Sequence, residues 1–337
     1  MTATFSEVVI VDNSSANPTL TLTVGSTNRT ATYASGGNST DLVYRYTIQS
    51  GEIDSNGISI GADSFVLPNS STISDLAGNN AILTHDTVDN NSSYKVNATT
   101  FSVTSFTMSD TELKIGDNAT VTLVFSEKVL GFSSDDDITI PNLDNGTPTG
   151  TLSTMTSSDN ETWTGTFIPA TNAEDNSSRL SLGTGYTDLA GNTGPDNETA
   201  NYEIDTLAPT VTSVRITSAD GDQNSFLNAG DNVSVTATFS EAVNLVNTGG
   251  NPTLTLLVGS DNETATYASG SGSANLVFRY TIQSGDNDTN GISIRANALY
   301  DNGSTIRDVA LNDAILTHSA VDNNTSYKVD TLAPTVS

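Results

Sequence analysis

The chain has 337 residues, of which 39 are Asp or Glu and 11 are Lys or Arg, giving a formal net charge of -28. Such a surface repels nucleic acid and anionic membranes and attracts cations. Cysteine is absent, which excludes disulfides, thiolate metal sites and cysteine nucleophiles; only 35% of residues are hydrophobic, so each core is thin and any metal staple must be held by oxygen.

Along the chain, the first strand-like run covers residues 2–5. "NPTLTLTVGSTNRTATYASG" begins at Asn17, "LVYRYTIQSG" at Leu42, "SGEIDSNGISI" at Ser50, "DLAGN" at Asp75 and "ILTHDTVDNNSSYKV" at Ile82. The same series returns as "NPTLTLLVGSDNETATYASG" at Asn251, "LVFRYTIQSG" at Leu276, "SGDNDTNGISI" at Ser284, "DVALN" at Asp308 and "ILTHSAVDNNTSYKV" at Ile315. Between them, "GDNATVTLVFSEKV" at Gly116 matches "GDNVSVTATFSEAV" at Gly230, and "DLAGN" recurs at Asp188. Repetition at this period defines modules in the order A-B-A, near 1–97, 98–206 and 207–330.

Met1 aligns with Val235, so the first module has no counterpart of residues 211–234 and is expected to be truncated at its N-terminus. The tail "DTLAPTVS" at 330–337 repeats "DTLAPTVT" at 205–212 and is expected to open a fourth module at 331–337. The chain therefore reads as a piece of a longer array. No apolar run is long enough to span a membrane, and "MTATFSEVVI" has neither a basic region nor a cleavage-site pattern.

Segments such as "VSVTATF", "TLTLLV", "ETATY" and "LVFRYTI" alternate with period two and are separated by Asn, Gly, Asp and Ser turns. About seven short strands per ~100 residues is the pattern of an immunoglobulin-like sandwich. The fold class is thus all-β, as tandem immunoglobulin-like β-sandwiches, with Trp163 in the core.

"FSEAV", "NPTLTL", "ATYASGSG", "DNDTNGISI", "LTHSAVDNNTSYKVDTLAPTV" and "FTMSDTELKIGDNATVTLVFSEKV" resemble the bacterial Ig-like repeats of giant prokaryotic surface proteins, among them repetitive adhesins of marine bacteria and S-layer proteins of marine archaea. The resemblance covers essentially the whole chain. It implies an extracellular stalk, adhesin or surface-layer role, often calcium-dependent and without catalysis.

The acids suggest where a cation would sit. Asp286, Asp288, Asn290 and Gly291 in "SGDNDTNGISI" repeat the first half of an EF-hand loop, but Asn297 stands where the bidentate Glu belongs and no helical pattern flanks it. The first-module copy keeps Asp54 and Asn56, with Glu52 for the first Asp. In a sandwich this loop faces the following module, as does "NAEDNSS" with Glu174 and Asp175. The Glu of "FSE" and the Asp of "DLAGN" or "DVALN" face the preceding one. Glu241 and Asp308 should therefore meet the linker Asp205, while Glu127 and Asp188 occupy the matching pole of module two beside Asp135, Asp136 and Asp137. Asp330 lies at the exit of module three. Calcium, which takes six to eight oxygens in flexible geometry, suits such poles. The first linker has Asn97 in place of Asp205 and should bind cations more weakly.

Enzyme signatures do not survive their context. "GISIG" at 57–61 matches a nucleophile elbow, but Ser59 lies in a strand-like run and the twin copy reads "GISIR". His85 and His318 each stand alone in "LTH". Paired carboxylates would suit a glycosidase, but sandwich poles offer no deep cleft. Lys95 and Lys328 lie at strand ends, which argues against Lys–Asn isopeptide bonds. The sequon N-x-S/T occurs eighteen times, an enrichment that favours a glycosylated coat.

The expected role is an extracellular structural segment of a surface adhesin or stalk with calcium at its junctions. Its expected partners are neighbouring modules, surface glycans or other surface proteins, with no nucleic acid and no membrane insertion. A glycosylated S-layer lattice, a glycan- or partner-binding module and a hydrolase accessory domain are the alternatives. Repetition favours the structural role, because identical modules count length whereas a binding tip is usually unique.

Overall fold

The computed structural model describes residues 1–336; Ser337, the last residue of the repeated tail, lies outside them. The chain folds as tandem all-β sandwiches of immunoglobulin type. Period-two patterning accounts for the strands. In Thr253–Val258 every second side chain points inward, and Leu254, Leu256 and Val258 are buried while the threonines face outward. Ala119–Phe125 buries Ala119, Val121, Leu123 and Phe125 in the same way. Each fully buried Val, Leu or Phe side chain contributes roughly 1.5–3 kcal/mol.

Three hydrophobic clusters form, drawn from residues 3–98, 101–204 and 211–329. In the third, the main sheet runs Val211–Asp220, Asn232–Val246, Ser273–Thr281, Asp261–Ser269, Thr253–Val258 and Leu299–Tyr300. A smaller sheet sets Lys328–Asp330 between Phe226–Leu227, which runs parallel to it, and Asn287–Asp288. The second cluster is ringed by aromatics: Phe125, Phe132 and Tyr186 touch edge-on or tilted, and Trp163 packs on Phe132 at 4.9 Å between centroids. Trp163 is half-buried against that core.

"FSE" does not end its strand in the third cluster. Asn232–Val246 runs through it, with a register shift between Thr238 and Val243. Before the shift the strand pairs with Ser273–Thr281; beyond it, residues 244–246 pair with Thr305–Arg307. Thr2–Asp12 does the same, shifting between Thr4 and Val9. Only in the second cluster does the strand stop, at Phe125, before a new pairing of Val129–Leu130 with Thr187–Asp188. Glu241 lies within the shift between Thr238 and Val243, on the same inward-facing phase as Phe239 and Val243.

The first and third clusters share a sequence but not an environment. Thr2, Ala3 and Thr4 pair with Ser39–Arg45 on one side only, whereas their counterparts Thr236, Ala237 and Thr238 also pair with Val211–Asp220. Likewise Val96–Asn97 pairs only with Ile53–Asp54. Ile48 is consequently 38% exposed where its counterpart Ile282 is 1% exposed.

Candidate metal centre

Register explains how the acids meet. Glu174 and Asp205 are direct partners across the antiparallel pair Glu174–Ser178 and Tyr202–Asp205. Glu241 reaches them from the bulge of Asn232–Val246. Oxygen atoms of Glu174, Asp205 and Glu241 lie within 4.8 Å of one another. Asp308, buried at the start of the "DVALN" turn, adds a fourth negative charge close enough to act on both Asp205 and Glu241. Like charges facing across a sheet are destabilising, and among the described residues no basic side chain pairs with them. Lys114 is in register with Asp205, but its ammonium is paired with Asp117 at 3.2 Å. Among the described residues the other ion pairs, Arg29–Glu52 and Arg307–Asp313, lie elsewhere.

The electrostatic consequence falls on Glu241. Burial, then the charges of Asp308, Asp205 and Glu174, push its carboxyl from the ordinary 4.5 up to about 7. Asp205 is raised as well, by burial and then by Asp308 and Glu174, against the Leu207 amide that holds it down. The donor set is oxygen only, comes from strands of two sandwiches, and carries excess negative charge. That chemistry fits a hard divalent cation, and calcium better than magnesium, whose octahedral demand is strict.

Asn312 ties the same junction with hydrogen bonds. Its amide donates to the backbone oxygen of Asp205 at 2.9 Å and to Asp308 at 2.9 Å. Its oxygen accepts the Ile115 amide at 2.9 Å. Asn192 makes the corresponding bond to the backbone oxygen of Asn97 at 3.0 Å. These asparagines end the "DLAGN" and "DVALN" motifs, which sequence reasoning used only for their aspartates. The fixed spacing Asp-x-x-x-Asn, present in all three copies, was the signal.

The other sequence candidates are placed differently. Asp288 is buried and accepts the amides of Asn290 at 3.1 Å, Gly291 at 2.7 Å and Gly259 at 2.8 Å. Asp54 accepts those of Gly57 and Gly25, both at 2.8 Å. Asp286 holds the Tyr280 hydroxyl at 2.7 Å and the Gln283 amide at 2.8 Å. Gly291 has φ +99°, and a Cβ there would come within 2.1 Å of the Asn324 carbonyl oxygen. The stretch that looks like half an EF-hand is thus a turn locked by its own Asp, with a glycine needed for close approach. Asn290 contributes only its backbone amide.

Asp175 and Asp330 cap the amides of Ser177 and Leu332. At the junction of the first two modules Glu127 and Asp188 are present, but Ile53 and Asn97 stand where Glu174 and Asp205 stand at the next. Asp188 is fully buried; burial works to raise its carboxyl, but the Asn192 side chain and the turn amides together outweigh that and hold it low. Asp135, Asp136 and Asp137 lie in the helical turn Ser134–Asp137, where Asp137 accepts the Ser133 amide at 2.9 Å.

The histidines are structural. The Ala298 amide donates to Nε2 of His318 at 2.9 Å, and Nδ1 faces the Ser319 carbonyl at 2.7 Å. An amide can only donate and a carbonyl only accept, so the tautomer is fixed. His85 repeats the arrangement with Ser64 and Asp86. Ser59 is held in a backbone bridge to Thr23.

Residues 97–204, the middle module, match the family described as bacterial Ig-like domain. No curated protein matches the sequence significantly. Among solved structures, FdeC, an Escherichia coli adhesin, aligns over 98% of this chain and 98% of its own at 12% identity, with a TM-score of 0.33. The SGBP-B protein of a Bacteroides ovatus mixed-linkage glucan utilization locus aligns over 79% of this chain and 61% of its own, at 13% identity and a TM-score of 0.16. Neither likeness is close enough to assign a ligand or partner. Among the described residues no helix is long and apolar enough to cross a membrane.

Proposed function

We propose that this chain is an extracellular structural segment of a prokaryotic surface adhesin or stalk, stiffened by calcium at the junction of its second and third modules. The reading is non-catalytic: the modules set length and spacing, and the cation sets the angle between them. The observation that carries it is the convergence of Glu174 and Asp205 from one module with Glu241 from the next, within 4.8 Å and without a neutralising base. Calcium would be held by these three carboxylates, with Asp308 supplying further charge. It would cancel the repulsion that otherwise drives the two modules apart, and so couple cation binding to interdomain angle. At the first junction, with Ile53 and Asn97 in those places, the drive to bind is weaker.

Small-angle scattering of the intact chain, with millimolar calcium and with chelator, tests the reading. The distribution of maximum dimensions should be narrow with calcium and broad without it. Identical distributions in both conditions would rule the reading out.

A further inference from the structure

We propose that Asn145 is a site of self-directed deamidation, its own turn supplying the groups that promote attack of the Gly146 nitrogen on the Asn145 side chain. Asn-Gly occurs four times, at 56–57, 145–146, 290–291 and 302–303. The chemistry is the same at each. The glycine amide gives its proton to hydroxide, and its nitrogen attacks the Asn Cγ. The new C–N bond closes a five-membered succinimide. The Cγ–Nδ2 bond breaks, and ammonia leaves with a proton from water, which returns the hydroxide. Water then adds to either ring carbonyl, and opening gives aspartate or isoaspartate. Glycine favours this step because it has no Cβ to crowd the ring. All four asparagines are exposed, so exposure does not rank them; their surroundings do.

At Asn56 and Asn290 the nucleophile is shut away. The Gly57 amide donates to the buried Asp54 carboxylate at 2.8 Å, and the Gly291 amide to the buried Asp288 carboxylate at 2.7 Å. A carboxylate facing an amide opposes the negative charge that deprotonation puts on its nitrogen. Both glycines also lie against a carbonyl, of Asn91 and of Asn324, too closely to admit a Cβ, so the backbone there cannot swing toward the side chain. At Asn302 the leaving group is held instead. Its Nδ2 donates to the Thr253 hydroxyl at 2.7 Å and to the Asn251 oxygen at 3.2 Å.

Asn145 has none of these restraints. Gly146 is exposed, and its amide donates to the neutral Leu143 carbonyl at 2.8 Å. It sits at φ +82°, where a Cβ would meet nothing within 4 Å. Among the described residues nothing accepts a bond from Asn145 Nδ2, the leaving group. Its Oδ1 accepts two, from the Thr147 amide at 3.0 Å and the Thr147 hydroxyl at 2.5 Å. Donors on that oxygen draw electron density from Cγ and stabilise the charge the oxygen carries in the tetrahedral intermediate, as an oxyanion hole does. The turn lines a groove of about 990 Å³ between the second and third modules, together with Asp144, Glu174, Asp175 and Leu311. Reaction at Asn145 adds a carboxylate to a groove that is already acidic.

Ageing of the intact chain at mildly alkaline pH, followed by peptide mapping that separates the aspartate and isoaspartate products, is the test. In the folded protein Asn145 should convert at least about tenfold faster than Asn56, Asn290 or Asn302, a barrier difference of about 1.4 kcal/mol. In urea, where the surroundings are lost, the four sites should convert at similar rates. Thr147→Val removes the hydroxyl donor and should slow conversion at Asn145 several-fold, while Thr147→Ser keeps the donor and should convert at the wild-type rate. An Asn145 no faster than the other three in the folded chain, the same ranking in urea, or a Thr147→Val variant that converts as fast as the wild type would each overturn the proposal.

Discussion

Glu241 carries the clearest consequence at the scale of single residues. Its carboxyl is raised from 4.5 to about 7 in the folded protein. The folded state therefore binds this proton more tightly than the unfolded state. In metal-free protein, stability should be highest below about pH 4.5 as far as this group is concerned, and should decline as pH rises to about 7. Glu241→Gln should flatten that decline and raise the metal-free melting temperature at pH 7.5. A decline of unchanged size in the variant would place the strain elsewhere. Asp288 has a different role. Replacing it with Ala strands the amides of Asn290, Gly291 and Gly259, and an unsatisfied buried donor costs about 1–3 kcal/mol, so Asp288→Ala should lower stability by at least ~2 kcal/mol in denaturant melts. Leu311 sits at φ +75°, where the other two copies of the turn have Gly78 and Gly191. A left-handed non-glycine costs roughly 1–2 kcal/mol, and Leu311→Gly should recover about half of that or more. The sequence marks all these acids as candidates. It does not say which are free to bind a cation, because that depends on whether backbone amides already occupy the carboxylate.

Among the elements, strands were legible wherever side chains alternate, as in Thr253–Val258 and Ala119–Phe125. The path through "FSE" was not. Period two cannot reveal that one strand changes partners halfway, since the pattern inward and outward is kept across the bulge. Glu174 facing Asp205 was foreseen only as proximity; the pairing itself is a matter of register, set by contacts of high sequence separation. Two copies of one strand make a direct comparison. The Ser240 amide is bonded to Thr210, whereas Ser6 has no such acceptor among the described residues. In dilute monomer, hydrogen exchange should be much faster at Ser6 than at Ser240. Equal protection would mean the first module closes that edge in another way.

Over the whole molecule, the repeat reads as a modular plan, and the described residues form three hydrophobic clusters. What repetition hides is that the junctions differ. The second gathers Glu174, Asp205, Glu241 and Asp308 and is latched by Asn312 to both the linker and the Ile115 amide. The first has two acids fewer and the Asn192 bond to the linker. Calcium should therefore stiffen the chain unevenly, with the first junction the looser hinge. Distances measured between spin labels across each junction should narrow with calcium at the second and change little at the first.

Thermal unfolding with calcium and with chelator, for the wild type and for Asp205→Ala with Glu241→Ala, bears most directly on the junction as a calcium site. A ligand bound only by the folded state stabilises it by RT ln(1 + [L]/Kd), about 2.7 kcal/mol at a hundredfold excess over Kd. Millimolar calcium should raise the wild-type melting temperature by several degrees at pH 7.5, and the double variant should lose most of that shift. A wild-type melting curve that is the same in calcium and in chelator would contradict the calcium junction outright.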